Sequence, residues 1–260
     1  MKVREKYIAF QTILVREVLR FLRIWIQTVL PAVVVTALYF VIFGELLGKK
    51  IGKINNVSYI EFIVPGLILM TVITNSYANV VSSFYGAKFQ RNIEEMLVSP
   101  VPNYIILLGF ASGGIARGLI VGMSVMLVSS FFVEIDIRSF SVMFSMMFLT
   151  AMLFSIAGLI NGIYARSFDD ISVVPTFVLT PLTYLGGIFY SISLLPEFWR
   201  QVAIFNPILY MVNTFRYGML NKQGMSDVSL LYSYLIVITF IVVLYLFALS
   251  LLSKSKGLRH

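Results

Sequence analysis

The residues of this chain that could do chemistry are few and charged. They are the adjacent carboxylates Glu94-Glu95 and Asp169-Asp170, the isolated Arg117, and the lysines that close Gly44-Glu45-Leu46-Leu47-Gly48-Lys49-Lys50. Neighbours on a helix point about 100° apart, so neither carboxylate pair forms a two-carboxylate acid–base site by itself. Both pairs fall in loops at the edge of apolar runs, where docking is the more natural task. The glycine–lysine string has one residue too few between its glycines for a phosphate-binding loop, and no Ser or Thr follows the lysine. There is no cysteine, and the one histidine is the terminal His260, read as a solvated tail residue. Thiolate, serine–histidine and clustered metal chemistry therefore lack donors, and the sequence predicts no catalytic residue, metal or cofactor.

What must position these groups is a series of apolar runs. Of the 260 residues, 59% are hydrophobic and only 12% charged, with mean hydropathy +0.91. Soluble domains carry about 25% charged residues, so the chain reads as an all-α, polytopic membrane protein forming one transmembrane domain over residues 1–260. The net charge of +8 then points to anionic lipid headgroups and not to nucleic acid, because no soluble module fits between the runs to carry a basic face. Six spans are predicted, at 24–43, 59–83, 104–133, 140–164, 171–190 and 230–252, each near or above the ~20 residues a crossing helix needs. The first run is long enough to span and is followed by the bulky Phe40, Phe43 and Glu45, so it reads as retained and not as a signal peptide.

Between the runs lie three distinctive pieces. Residues 1–23 place Arg16, Arg20 and Arg23 on one helical face and Leu14, Val18 and Leu22 on another, the pattern of a helix lying in the membrane interface. Residues 86–102 form a polar island in which Phe89, Ile93, Met96 and Leu97 recur at helical spacing among charged residues, predicting a short amphipathic helix that ends at Pro100. Residues 185–220 are apolar but broken by Gly186, Gly187, Pro196 and Pro207, and predict two short helices re-entering the outer leaflet. Broken backbone at that depth must be buried in protein or line a wet cavity.

The third span carries two interleaved small-residue series, Gly109, Gly113, Gly114, Gly118 and Gly122, suited either to packing within the chain or to a subunit interface. Arg117 sits among them. An intramembrane arginine costs at least ~2.5 kcal/mol on insertion scales, so it faces either a structural partner, with Glu61 a candidate, or a wet pathway. Lys and Arg dominate the side that holds both termini and the island, which places that side in the cytoplasm. The lysines at 49, 50 and 53 oppose this, and the basic first segment and tail outweigh them. A membrane enzyme lacks its nucleophile and metal donors here, and an ion-coupled carrier lacks midplane carboxylates, Glu61 alone coming close.

The ordered set FIVPG (62–66), FQRNIEEMLVSP (89–100), SFDD (167–170), LTPLTYLGGIFYSISLLPEFW (179–199) and FNPILYMVNTFRYG (205–218) resembles the ABC-2-type permeases, membrane subunits of ATP-binding-cassette exporters. The resemblance covers nearly the whole chain. It implies a homodimer of this chain with two copies of a separate ATPase that binds the ATP, in a bacterial inner membrane. It makes the island a coupling helix, with Arg91, Ile93, Glu94, Glu95, Met96 and Leu97 touching the ATPase and Pro100 stopping the helix. The outer segment then caps the pathway, with Pro196, Trp199, Pro207 and Arg216 shaping the lid. The implied task is export of an amphipathic, lipid-like or drug-like cargo. Export of polysaccharide or lipid-linked glycan is the alternative within the family, and a membrane enzyme acting on lipids is the alternative outside it.

Overall fold

The computed structural model describes residues 2–54, 57–220 and 228–254. Lys222, Lys256, Arg259 and His260, and the side chains of Glu45, Lys49 and Lys53, lie outside the described residues. Helix α1 (Val3–Arg23) meets α2 (Trp25–Phe40) at Ile24, and a π-helical turn (Val41–Leu47) and α3 (Gly48–Ile51) follow. A ribbon of two residues a side, β1 (Lys53–Ile54) antiparallel to β2 (Val57–Ser58), is the one departure from helix among the described elements. Then come α4 (Tyr59–Phe89), α5 (Asn92–Val98), α6 (Asn103–Ser129) and α7 (Phe140–Tyr164). A short apolar helix is built from α8 (Asp170–Val174), a π-helical turn (Pro175–Leu179) and α9 (Thr180–Leu185). After a 3-10 turn (Ile192–Leu194), α10 (Glu197–Ile204), α11 (Pro207–Met219) and α12 (Leu230–Ser253) complete the fold.

Among the described residues five helices are long and apolar enough to cross a membrane: Trp25–Gly44, Tyr59–Phe89, Asn103–Ser129, Phe140–Tyr164 and Leu230–Ser253. The predicted fifth crossing, at 171–190, corresponds instead to Asp170–Leu185, which is shorter than 18 residues. At about 1.5 Å per residue it falls short of the ~30 Å hydrocarbon core. Its chemistry explains why. Pro175 opens a π-helical turn, and Gly187, with φ of +73°, turns the chain in a conformation only glycine enters freely.

In lipid no hydrophobic drive separates helix from solvent, so close backbone approach has to hold the bundle together. The two glycine series of α6 divide that work. A Cβ on Gly109 would meet Ile13 of α1 at 2.6 Å, and one on Gly113 would meet Glu17 of α1 at 2.5 Å. A Cβ on Gly114 would overlap Ser155 of α7 and Val80 of α4, one on Gly118 would overlap Ser76, and one on Gly122 would touch Val72 at 2.5 Å. The first series therefore seats α1, and the second seats α4 and α7. Helix α4 is buried along most of its length between α6 and α7, while α2 and α12 leave most of their apolar surface uncovered. Four buried hydroxyls are satisfied within their own helices, Thr71, Ser76, Ser129 and Thr150 each donating to the carbonyl four residues back.

Candidate functional site

One end of the bundle gathers the charged loops. Helix α4 stops because Arg91 takes a left-handed backbone, φ +64°, a conformation usually left to glycine at this position after a helix. The Arg91 N–H donates to the Lys88 carbonyl at 2.9 Å, and the Arg91 carbonyl accepts from Glu94 at 3.1 Å. The chain thus turns a corner and restarts at once as α5. Ile93 is 1% exposed and pins α5 to the core; Met96 and Leu97 are half-buried beside it, whereas Glu94, Glu95 and Pro100 are exposed. The helix breaks before Asn92, so Phe89 belongs to α4 and not to the apolar stripe that sequence periodicity assigns it. It meets Phe168 edge to face and lies tilted against Tyr85 instead.

Phe168 brings the second carboxylate pair to the same end. Ser167 and Asp170 cap the short helix reciprocally, the Asp170 N–H donating to Ser167 Oγ at 3.2 Å and the Ser167 N–H to Asp170 Oδ2 at 3.1 Å. The Arg166 N–H also donates to Asp170 Oδ2, at 2.8 Å. This bond, with help from Ser167, holds the Asp170 carboxyl below the usual carboxylate range. Asp170 is therefore a cap and not an acid–base group. Lys88 donates to the carbonyls of Ile163 and Ala165 at 2.7 and 2.8 Å, closing the C-terminal end of α7.

Helix α1 joins this end through a polar network that sequence reasoning missed. Glu17 is 1% exposed. Its carboxylate accepts from Ser83 Oγ of α4 at 2.5 Å and pairs with Arg16 at 3.2 Å and Arg20 at 3.4 Å. Arg20 in turn donates to the carbonyl and side-chain oxygens of Asn79, at 2.9 and 2.8 Å. The face of α1 carrying Ile13, Glu17 and Phe21 is buried, and it docks α1 onto α4 and α6. An acidic residue in step with the apolar Ile13 and Phe21 was the available signal.

Deeper in the bundle a groove of about 320 Å³ opens between α2, α4 and α6, lined by Gln27, Thr36, Thr71, Thr74, Asn75 and Arg117 among others. Arg117 donates to Asn75 Oδ1 at 3.1 Å, and Asn75 donates to the Thr71 carbonyl at 3.0 Å. Its partner is thus Asn75 and not Glu61. Glu61 lies in the first turn of α4, about 21 Å away along the helix at 1.5 Å per residue. The Arg117 Nε has no hydrogen-bond partner among the described residues. That nitrogen is buried, so it is the remainder of the half-buried side chain that lines the groove beside amides and hydroxyls.

At the opposite end the four residues assigned to a lid part company. Pro196 and Trp199 are exposed on the entry to and first turn of α10, and Pro207 opens α11 behind its Asn206 cap, half-buried. Arg216 is 1% exposed and works as an internal clamp. Its Nε donates to the Phe62 carbonyl at 3.2 Å, a terminal nitrogen donates to the Gly187 carbonyl at 2.8 Å, and its guanidinium carbon lies 3.9 Å from the centre of the Phe62 ring. The two short helices of this segment are present as α10 and α11. The second is buried along nearly its whole length.

Comparison with known proteins gives this geometry a context. Residues 8–220 match the family described as ABC-2 type transporter. The chain is similar to the Inner membrane transport permease YadH of Escherichia coli (strain K12), with 54% identity over 253 residues, covering 97% of this chain and 98% of that protein. It is also similar to Nodulation protein J of Rhizobium leguminosarum bv. viciae, 24% identical over 74% of each chain. Nodulation protein J of Sinorhizobium fredii (strain NBRC 101917 / NGR234) is 25% identical over 73% of this chain and 72% of that one.

Proposed function

Because the chain belongs to the ABC-2 type transporter family, we propose that it is the membrane half of an ATP-driven exporter of the bacterial inner membrane, two copies working with two copies of a separate ABC ATPase. In this reading both termini and α5 face the cytoplasm, the ATPase hydrolyses ATP, and this chain contributes no catalytic residue. The cargo is an amphipathic, lipid-like or drug-like molecule taken from the cytoplasm or inner leaflet.

The observation that carries the reading is the form of α5. It is anchored by Ile93, held at a fixed corner by Arg91, and presents Glu94 and Glu95 outward. A short helix so fixed transmits a rigid-body displacement. It would do so to α4, the most enclosed long helix, which carries Asn75 on the Arg117 groove. Motion of the ATPase would thus reach the groove through one continuous helix, reorienting a pathway between the two copies. The exposed Pro196 and Trp199 would close its outer end, with Pro207 and the buried Arg216 holding that closure in shape.

Replacing Glu94→Lys and Glu95→Lys together should abolish co-purification of the ATPase and ATP-dependent transport while leaving membrane insertion intact. Normal capture of the ATPase with full transport in that variant would remove α5 from the coupling role.

A further inference from the structure

Between α1 and the inner end of α4 lies a groove of about 630 Å³, separate from the Arg117 groove. Arg16, Arg20 and Arg23 line it from one face of α1, and Gln90 and Asn92 of the α4–α5 corner line it from the other side. Glu17 is the one carboxylate in the lining, and it is already engaged by Ser83, Arg16 and Arg20. Three guanidiniums against one carboxylate leave the groove with an excess of positive charge. The side chains of Arg16 and Arg20 are 42% and 34% exposed, so they remain within reach of a ligand. Leu19 and Ile24 line the same groove and are exposed. Trp25, of a residue type enriched at headgroup depth, opens the adjoining span.

We propose that this groove binds the phosphate of an anionic phospholipid, with the acyl chains lying along Leu19 and Ile24. The inference rests on reading α1 as a helix at the membrane surface, and it does not depend on α5 gripping an ATPase. Guanidinium groups present paired donors that match phosphate oxygens, and basic pockets at the membrane surface select anionic headgroups. A zwitterionic lipid carries the same phosphate, but its ammonium would oppose the arginine excess. A soluble phosphate satisfies the charge but leaves Leu19 and Ile24 uncovered. The bound lipid would hold α1 against the corner at Arg91, because Gln90 and Asn92 flank that corner.

The test titrates the full-length protein, in detergent, with phosphatidylglycerol, phosphatidylcholine and inorganic phosphate, reading bound lipid by native mass spectrometry. Phosphatidylglycerol should bind at least tenfold more tightly than the other two. The variant Arg16→Gln/Arg23→Gln should lose that preference, and Arg4→Gln, on the same helix outside the groove, should keep it. Equal binding of the two lipids, or a preference that survives the double substitution, overturns the proposal. Inorganic phosphate competing as well as phosphatidylglycerol assigns the groove to a soluble ligand instead. Release of the ATPase by the double variant with lipid preference intact assigns it to a protein partner. Should the double variant not fold, photoactivatable phosphatidylglycerol on the wild-type protein decides the matter: cross-links within 16–26 and 82–92 support the site, and cross-links confined elsewhere refute it.

Discussion

Single residues in this chain act through backbone and hydrogen bonds more than through chemistry. Arg91 is the sole non-glycine residue with positive φ among the described residues, and for an ordinary side chain a left-handed backbone costs about 1–2 kcal/mol. Nothing in its residue type announces this, since glycine is the usual sign of such a corner. Arg91→Gly should therefore keep or raise thermal stability, whereas Arg91→Val should lower it by about 1–2 kcal/mol. Unfolding midpoints of the purified variants in detergent read the difference, and coincident midpoints would mean that the corner carries no strain. Arg117 and Arg216 make a related point. Both are arginines in apolar sequence, yet Arg216 is enclosed by the carbonyls of Phe62 and Gly187 while Arg117 keeps an open side. Sequence alone cannot separate a clamp from a lining residue, because the distinguishing carbonyls come from residues 29 and 154 positions away.

At the scale of elements, α6 shows what a glycine series is for. Spacing predicted close packing without saying against what. The fold assigns Gly109 and Gly113 to α1, and Gly114, Gly118 and Gly122 to α4 and α7. Gly118→Ala would press a methyl onto Ser76 and should destabilise the bundle by about 1–3 kcal/mol, as overpacking does. Gly86, where an added Cβ meets nothing within 4 Å, is the control. Gly86→Ala should be neutral or stabilise by about 0.5–1 kcal/mol, since alanine favours helix. Thermal unfolding of the pair checks the contrast, and equal effects would show that the α6–α4 contact is loose. Helix boundaries were legible where caps are local. Phe140–Tyr164 begins after Ser139, whose side chain accepts from Val142, and matches the predicted span. They were not legible at Asp170–Leu185, where hydropathy continues past the glycines that end the helix.

For the whole molecule, the lack of cysteine makes the arrangement across the membrane directly testable. Val98, just beyond the exposed carboxylates of α5, and Phe205, between α10 and α11, are 88% and 84% exposed. A membrane-impermeant maleimide should label Phe205→Cys in intact spheroplasts and Val98→Cys only in inverted vesicles. Labelling of Val98→Cys from outside would reverse the orientation and remove α5 from reach of a cytoplasmic ATPase.

Composition and periodicity determined that this chain is helical and built for a membrane, and the order of its motifs identified its family, because hydropathy and local motifs are properties of contiguous residues. Which side chains meet was decided by the tertiary structure alone. Glu17 with Ser83, Arg117 with Asn75, Phe89 with Phe168 and Arg216 with Phe62 are pairs joined by helix packing and not by spacing along the chain. In lipid those meetings are set by where glycine lets backbones approach, and that geometry exists only once the bundle has formed.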